Sequence, residues 1–229
     1  MNEIDLEAVC LRTEIDGRKG RYLEDGLSVR TEGLDVLGNA EIRVAVGSSS
    51  LLPEARIFLD HVSGYIRKSG AVLKTGETMA YGYWLVKFVG GEDVALDVWE
   101  YNSAATEFIL GATLTLNYWR DQHELCSRVS ADFTPPRPDA LAVLSPAVLE
   151  GAPVQGVRYQ SPAHMSGWWI TADDYNGDVK MLKTEHLYHV THRRPDLARY
   201  VALPYGFRFD LSNYEDVWFD REVAEQPTV

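Results

Sequence analysis

The stretch PEARIFLDHVSGYIRKSG, residues 53–70, carries the clearest structural pattern in the chain. Its apolar residues recur three or four positions apart, which places them along one side of a helix. They are Ala55, Phe58, Leu59, Val62, Tyr65 and Ile66. Pro53 suits the first turn of a helix and Gly70 suits its end. The pattern predicts an amphipathic helix over about residues 53–69, which needs another element to cover its apolar side.

Segments with alternating apolar residues lie on both sides of this helix. Upstream, the alternation predicts strands at 27–31 and 40–46. Downstream, 80–89 is typical of a long aromatic strand, Gly90-Gly91 of a tight turn, and 93–101 of the hairpin partner. Strands before and after a single helix predict an antiparallel sheet with the helix packed on one face.

A proline-rich segment interrupts the middle of the chain. Before it, residues 113–119 fit another strand and 120–129 favour a helix. The segment itself has three prolines in four positions at 135–138, and such a run continues neither a helix nor a central strand. It predicts a linker at 133–140. The flanking domains are then an amino-terminal unit at 1–132 and a carboxy-terminal unit at 141–229.

The carboxy-terminal unit has the same mixture of short helices and strands. Ser145 and Pro146 are typical of a helix start, which predicts a short helix at 145–149. The other predicted elements are strands at 157–160, 166–171, 206–211 and 216–220, a polar loop at 173–178 and a short helix at 196–202. The sequence therefore predicts an α+β protein of two small units, each an antiparallel sheet with helices packed on one face.

Composition narrows the classes of function. The 229 residues are 45% hydrophobic and carry a formal net charge of −12. Nucleic-acid binding requires clustered lysine and arginine, and the sequence has no such stripe. No segment approaches 18 consecutive apolar residues and no basic, apolar leader precedes the first strand, so we expect a cytoplasmic protein that does not bind membranes. The negative charge suits a basic partner.

Catalytic and cofactor motifs are missing from the sequence. Cys10 and Cys126 stand far apart without a CxxC pair, which favours neither a disulfide framework nor a zinc site. Ser161, Ser166, His164 and Asp173 could be combined into a hydrolytic triad, but no GxSxG turn frames either serine. Walker-type and GxGxxG loops are also absent, so we expect no enzyme and no cofactor.

The histidine-rich segment 186–192 leaves an alternative open. His186 and His189 are three residues apart, and on a helix they would share a face and could hold a metal ion. The HExxH arrangement of zinc hydrolases is not present. One histidine bonded to a backbone carbonyl, with the others at the surface, is the competing interpretation. A metal-binding protein or metal-dependent enzyme is thus the second hypothesis.

Adjacent tryptophans stand in one predicted strand, Gly167-Trp168-Trp169-Ile170. Side chains alternate between the two faces of a strand, so both tryptophans are buried only if the strand is covered on both sides. Otherwise one of them is exposed, and an exposed tryptophan on a rigid sheet is a good interface anchor. The same argument applies to Tyr83-Trp84 and Tyr118-Trp119.

Several short, aromatic pieces of residues 158–220 form a recognisable series. They are His164–Trp168, the loop 173–178, His186–Val190, Arg194–Leu197, Leu203–Phe209 and Trp218–Asp220. In this order they resemble the polymorphic-toxin immunity protein family 33. The resemblance implies a protein that neutralises a cognate bacterial toxin by binding it directly, without catalysis. It transfers no catalytic residues, and the sequence does not define the oligomeric state.

These observations lead to one predicted binding surface. We expect an aromatic patch that is buried against the toxin and surrounded by acids. The candidate residues are Trp168, Trp169, Asp173, Asp174, Tyr175 and Asp178.

Overall fold

The computed structural model describes residues 9–15, 18–90 and 95–227, with side chains from residue 22 onward within these ranges. The chain divides into two compact units. Unit 1 contains the residues up to Tyr81 together with Leu85–Asn102 and Thr106–Asn117. Unit 2 contains Gly82–Trp84, Ser103–Ala105 and the residues from Tyr118 onward.

The predicted α+β class is confirmed, with four described helices and two mixed sheets. The strands of the first sheet are β1 Val9–Ile15, β2 Arg18–Asp25, β3 Ser28–Glu32, β4 Glu41–Ala45, β5 Thr78–Tyr81, β6 Trp84–Gly90, β7 Ala95–Tyr101 and β8 Phe108–Leu110. Their order is β1-β2-β3-β4-β7-β6-β5, with β8 paired to β7. The expectation of a purely antiparallel sheet is wrong, because β4 and β7 run parallel.

Helix α1, Leu52–Ser69, covers this sheet with its apolar side. Phe58, Leu59, Val62 and Ile66 are buried with the inward residues of β3 and β4. Pro53 lies in the first turn, and Gly70 ends the helix in the left-handed conformation. The apolar side, the proline in the first turn and the terminal glycine are the features from which the sequence predicts this helix.

The predicted strand at 113–119 is wrong. These residues form the first turns of helix α2, Thr113–Arg128. The carboxylate of Glu100 on β7 accepts hydrogen bonds from the backbone N–H groups of Leu114 and Thr115 at 2.9 and 2.6 Å, and from the Thr115 hydroxyl at 2.7 Å. A side chain distant in sequence thus accepts hydrogen bonds from the N–H groups that have no partner within the first turn of a helix. The local alternation of apolar residues does not indicate this contact.

The predicted single strand at 80–89 is interrupted. Gly82 adopts a φ of +59° in a turn between β5 and β6, which is a conformation that favours glycine. The turn ends the alternation of faces, so Tyr83 and Trp84 are both buried. β6 and β7 do pair antiparallel as a hairpin, while Gly91 and Asp93 of the predicted connection lie outside the described residues.

Unit 2 is built on the second sheet. Its strands are β9 Leu141–Leu144, β10 Val154–Arg158, β11 Met165–Ala172, β12 Lys183–His186, β13 Phe207–Asp210 and β14 Asp216–Phe219, in the order β12-β9-β11-β10-β13-β14. β9 and β11 are parallel, which again differs from the antiparallel expectation. The remaining helices are α3 Leu187–Arg193 and α4 Arg221–Ala224.

Several local predictions for unit 2 shift in the structure. The predicted strand at 157–160 lies at Val154–Arg158, because Gly156 belongs to it and leaves the space that the Phe209 ring fills. The helix expected at 145–149 is a 3-10 helix over Pro146–Glu150, and that expected at 196–202 is a single 3-10 turn, Pro195–Leu197.

The proline-rich segment is not a boundary between the two compact units. The division falls at residues 117 and 118, inside α2, and 133–140 lies within unit 2. Thr134 is held there by two hydrogen bonds: its N–H donates to the Ala202 carbonyl at 2.8 Å, and its own carbonyl accepts from Arg158 at 2.6 Å. Prolines exclude a helix, but they do not prevent packing. The ranges 1–132 and 141–229 stay a prediction as independently folding domains.

A buried arginine lies at the centre of unit 2. Arg158, on β10, is 2% exposed and donates to the backbone carbonyls of Ser166 at 2.9 Å, Thr134 at 2.6 Å and Val201 at 3.2 Å, and also to that of Leu203. Its guanidinium lies 4.8 Å from the centre of the Tyr205 ring. Burial lowers the pKa of Arg158 to about 10, so the group still carries its charge near neutral pH.

Within the described ranges, no helix is both long enough and apolar enough to cross a membrane.

Replacing Glu100 by alanine is expected to destabilise the protein by about 1–3 kcal/mol, because it leaves the donors at the start of α2 without an acceptor. Urea unfolding of the purified variant measures this change. Glu107→Ala is the control, since Glu107 is exposed and its substitution leaves these donors satisfied. Equal stability of the two variants would contradict the capping role.

Replacing Arg158 by lysine is expected to destabilise the protein by about 3 kcal/mol, because one ammonium group cannot span four carbonyls and hydrogen bonds to a charged donor contribute about 1.5–3 kcal/mol each. Thermal and urea unfolding measure the loss. The matched control is Arg137→Lys, at an exposed arginine that pairs with Asp139, and its melting temperature should equal that of the wild type. A wild-type melting temperature for Arg158→Lys would refute the central role of the guanidinium.

Candidate protein-binding surface

The second sheet has one covered face and one uncovered face. Along β10, Val154, Gly156 and Arg158 are buried, whereas Gln155 is exposed and Val157 is half-buried. β11 shows the same alternation, with Trp168, Ile170 and Ala172 buried and the residues between them half-buried. We call the face that carries Val157 and Trp169 the open face.

Strand register aligns a row of largely apolar side chains across the open face. The residues directly opposite one another, from β12 to β14, are Thr184, Val143, Trp169, Val157, Arg208 and Trp218. Val143 is 8% exposed, so the face is covered at β9 and accessible from Trp169 to Trp218. Trp218 is 38% exposed and Trp169 is half-buried, with its ring edge-on to Tyr159 at 5.9 Å. Two tryptophans on rigid strands thus lie in one row. We call it the aromatic row.

A polar row runs beside the aromatic row. It consists of Thr171, Gln155, Asp210 and Asp216, again directly opposite one another on four neighbouring strands. Thr171 lies near the end of β11, and Asp173 and Asp174 follow this strand directly in sequence. We call Asp210, Asp216 and Asp173 the acidic group.

The carboxylates near this face differ in how they are neutralised. The acidic group has no ion pair with any arginine or lysine among the described residues, although Asp210 accepts hydrogen bonds from Gln155 at 3.0 Å and from the Ser212 N–H at 2.7 Å. Glu215, in contrast, bonds to Arg128 at 2.8 Å, which lowers the pKa of this carboxyl to about 2. Arg208 pairs with Asp220 at 2.7 Å, so the cation within the aromatic row is already compensated.

A small groove lies where the two rows reach the sheet edge. Its volume is about 90 Å³, and it is lined by Asp210, Asn213, Tyr214, Asp216 and Trp218. Carboxylates beside aromatic rings are the groups that bind a lysine or arginine side chain. The groove therefore has the chemistry of a site for a cationic side chain.

The structure corrects one of the predicted contact residues. Trp168 is 1% exposed, packs against Phe209 and donates its indole N–H to the Val201 carbonyl at 3.0 Å. It belongs to the core because its side of β11 faces the covered side of the sheet. Trp169 has the opposite orientation and lies on the open face, so alternation along the strand separates the pair.

The four other predicted contact residues lie in the loop after β11. Asp173, Asp174 and Asp178 are exposed and Tyr175 is half-buried. Asp174 accepts from the Ser145 hydroxyl at 2.7 Å and from the Ala147 N–H at 3.1 Å, so it fixes the start of the 3-10 helix over 146–150. Asp178 accepts from the Lys180 N–H at 3.0 Å. As partner contacts, these residues and Trp169 stay a prediction. The sequence does not predict Val157, Asp210, Asp216 or Trp218 as contact residues, because only strand register places Val157 and Trp218 in one row with Trp169 and the two aspartates in the neighbouring row.

The histidines of segment 186–192 have protein partners. Nδ1 of His186 lies 2.8 Å from the Asp139 carbonyl oxygen, and Nδ1 of His189 lies 2.6 Å from the Glu185 carboxylate. The centres of the two rings are 6.0 Å apart. In the part of the chain that the structure describes, no group of three or more histidine, cysteine, aspartate or glutamate residues is arranged to hold a metal ion.

The candidate hydrolytic residues are not brought together by a hydrogen bond to a histidine. The Ser166 hydroxyl donates to the Leu141 carbonyl at 2.9 Å, and the Ser161 hydroxyl donates to the Met165 carbonyl at 3.3 Å. The Ser161 contact lies within the connection between β10 and β11, and the Ser166 contact links β11 to β9.

The carboxy-terminal sequence motifs surround Arg158. Ser166 provides a carbonyl to the guanidinium, Trp168 covers it at 5.9 Å and Tyr205 stacks at its other side. Gly167, with a φ of +82°, has no room for a side chain, because a Cβ there would lie 2.2 Å from the Tyr159 carbonyl oxygen. Ser166, Gly167, Trp168 and Tyr205 therefore build the covered side of the sheet around the guanidinium.

Comparison with protein families gives a match in the carboxy-terminal half of the chain. Residues 121–220 match the family profile of the Imm33-like domain. No curated protein and no solved structure matches the chain. The predicted resemblance to immunity protein family 33 is confirmed in its carboxy-terminal position, and the match begins further upstream than residue 158. Residues 121–220 are thus similar to the Imm33-like domain.

Proposed function

We propose that this chain is a non-enzymatic protein-binding module, and that it neutralises a cognate bacterial toxin by direct occlusion. The contact surface in this proposal is the open face of the second sheet. One observation carries it: a row with two accessible tryptophans lies beside a row with two carboxylates that have no ion-pair partner in the described structure.

The aromatic row has the properties of an interface centre. Trp169 and Trp218 are attached to paired strands, so little conformational entropy is lost when a partner covers them. Tryptophans are enriched among the residues that contribute most to binding, and neighbouring polar residues exclude water from them. Val157, which pairs with Trp169, supplies further apolar area between the two rings.

The acidic group favours a basic partner. Burying carboxylates against a neutral surface costs desolvation energy, which an opposite charge on the partner offsets. The net charge of −12 also attracts a cationic protein over a distance and raises its association rate. A toxin whose basic surface contacts its own substrate would lose access to that substrate when this face covers it.

The Imm33-like domain supports the choice of a toxin as the partner. We place the protein in the bacterial cytoplasm, where it would meet a toxin made by the same cell or delivered by a neighbour. Growth rescue tests this part: the product of the adjacent gene should arrest growth when expressed alone, and co-expression of this chain should restore growth. An adjacent product that does not bind this chain would refute the toxin-immunity proposal.

Replacing Trp169 by alanine is expected to weaken binding of the purified adjacent-gene product about 30-fold, which corresponds to about 2 kcal/mol for a central aromatic anchor. Isothermal titration calorimetry measures the change. Tyr65→Ala is the matched control, because Tyr65 is an exposed aromatic residue of unit 1, far along the chain from the open face. Wild-type affinity in Trp169→Ala would exclude the open face as the contact surface.

Reversing two charges of the acidic group, Asp173→Lys with Asp216→Lys, is expected to slow association about tenfold at low salt, because attraction of a basic partner becomes repulsion. Stopped-flow association kinetics at several salt concentrations measure this effect, and the difference from the wild type should shrink as salt rises. Asp35→Lys with Glu32→Lys changes the net charge of the chain by the same amount within unit 1. Equal association rates for the two double variants would show that net charge, rather than this group, attracts the partner.

A further inference from the structure

Strand β14 forms one edge of the second sheet. Among the described residues it pairs with β13 on one side and with no strand on the other. Its exposed residues are large: Phe219 is 53% exposed beside the half-exposed Trp218, and Tyr214 in the preceding turn is 75% exposed. A sheet edge with accessible backbone groups and apolar side chains is a template for an added strand.

The register identifies the backbone groups that β14 offers. The Asp220 N–H donates to the Gly206 carbonyl at 2.8 Å, so this opposed pair is a hydrogen-bonded one. Such pairs alternate along an antiparallel ladder, which directs the N–H groups of Asp216 and Trp218 towards β13. The N–H and C=O groups of Val217 and Phe219 consequently point away from the sheet.

The two edges of the sheet differ in how they are protected. Both edge strands have four residues and lead into a short helix, so the difference between them lies in their side chains. β12, at the opposite edge, carries the exposed Lys183, and edge lysines discourage the addition of another chain. β14 has the sequence Asp-Val-Trp-Phe, without a lysine or arginine. Of these two edges, β14 is therefore the one that presents large apolar side chains without an edge lysine.

Charge distinguishes between possible occupants of this edge. If a second copy paired antiparallel through the outward groups of Val217 and Phe219, Asp216 of each copy would lie opposite Asp220 of the other, which like-charge repulsion disfavours. A basic segment would instead place a cation in the groove of Asp210, Asp216, Tyr214 and Trp218. The charge at this edge favours a different, cationic chain.

We propose that β14 binds an extended, basic segment of the partner as an additional strand of the second sheet. The inference rests on the proposed function for the identity of that partner. Backbone bonds to Val217 and Phe219 supply the pairing, one side chain of the segment covers Trp218, and a lysine or arginine of the segment enters the groove.

The test compares Val217→Pro with Val217→Ala in titrations of the purified adjacent-gene product. Both substitutions remove the valine side chain, but only proline removes the outward N–H group. Proline is tolerated on an edge strand whose N–H faces solvent, so the bonds to β13 remain. We expect the proline variant to bind at least tenfold more weakly than the alanine variant, at equal melting temperatures.

Amide hydrogen exchange of the wild-type protein gives a second measurement that needs no substitution. The amides of Val217 and Phe219 should exchange rapidly in the free protein and become protected in the complex. The Trp218 amide should be protected in both states, since it bonds to β13. A complex in which the Val217 and Phe219 amides stay unprotected would overturn the added strand. Equal affinity of the proline and alanine variants would do the same.

The outcomes separate this inference from the proposed function. If the wild-type protein does not bind the adjacent-gene product, the proposed function fails. If it binds while the Val217 and Phe219 amides still exchange rapidly, only the added strand is refuted. Protection of both amides in the absence of the partner, together with a dimer in sedimentation that Val217→Pro abolishes, would assign the edge to a second copy and overturn the proposal.

Discussion

The buried guanidinium of Arg158 is the interaction on which unit 2 depends. It has no hydrogen-bonded carboxylate among the described residues, and its charge is instead solvated by four backbone carbonyls from three separate segments. Removing an ion from water is costly unless its hydrogen-bonding capacity is satisfied, so these segments must meet at one point. This requirement explains why the proline-rich segment, which sequence pattern alone marks as a linker, is attached to unit 2: the Thr134 carbonyl is one of the four acceptors.

The same residue fixes which face of the sheet is open. Because side chains alternate along β10, an inward Arg158 makes its neighbour Val157 point outward. Register with β11 then sets the direction of both tryptophans, since Arg158 lies opposite Trp168 and Val157 lies opposite Trp169. A shift of β10 by one residue would place the guanidinium in solvent and turn Gln155 and Val157 towards the core. The inward and outward residues of this strand are therefore fixed together.

Local pattern was sufficient where an element's own residues determine it. The stretch 53–70 contains its apolar side, its starting proline and its terminal glycine, and helix α1 follows them closely. Local sequence pattern was insufficient where a residue distant in sequence determines the secondary structure. Thr113–Trp119 is helical because Glu100, on another element, satisfies its first N–H groups, and the predicted hydrophobic alternation does not register such a contact. The tryptophan pair is intermediate: sequence predicted that its members point to opposite faces, but only the packing of Arg158 shows that Trp168 is the inner one.

The division between the covered and the open face bears on what an Imm33-like match can reveal about function. Gly167, Trp168 and Tyr205 are confined by the space around the guanidinium, so substitutions there act on folding before they act on binding. Val157, Asp210, Asp216 and Trp218 face outward, where surface substitutions cost little stability. A sheet of this design can exchange its outward residues to suit a different partner while its core stays the same. The inward residues of the matched segment are thus tied to the fold, whereas its outward residues, Trp218 among them, are the ones that the proposed partner would contact.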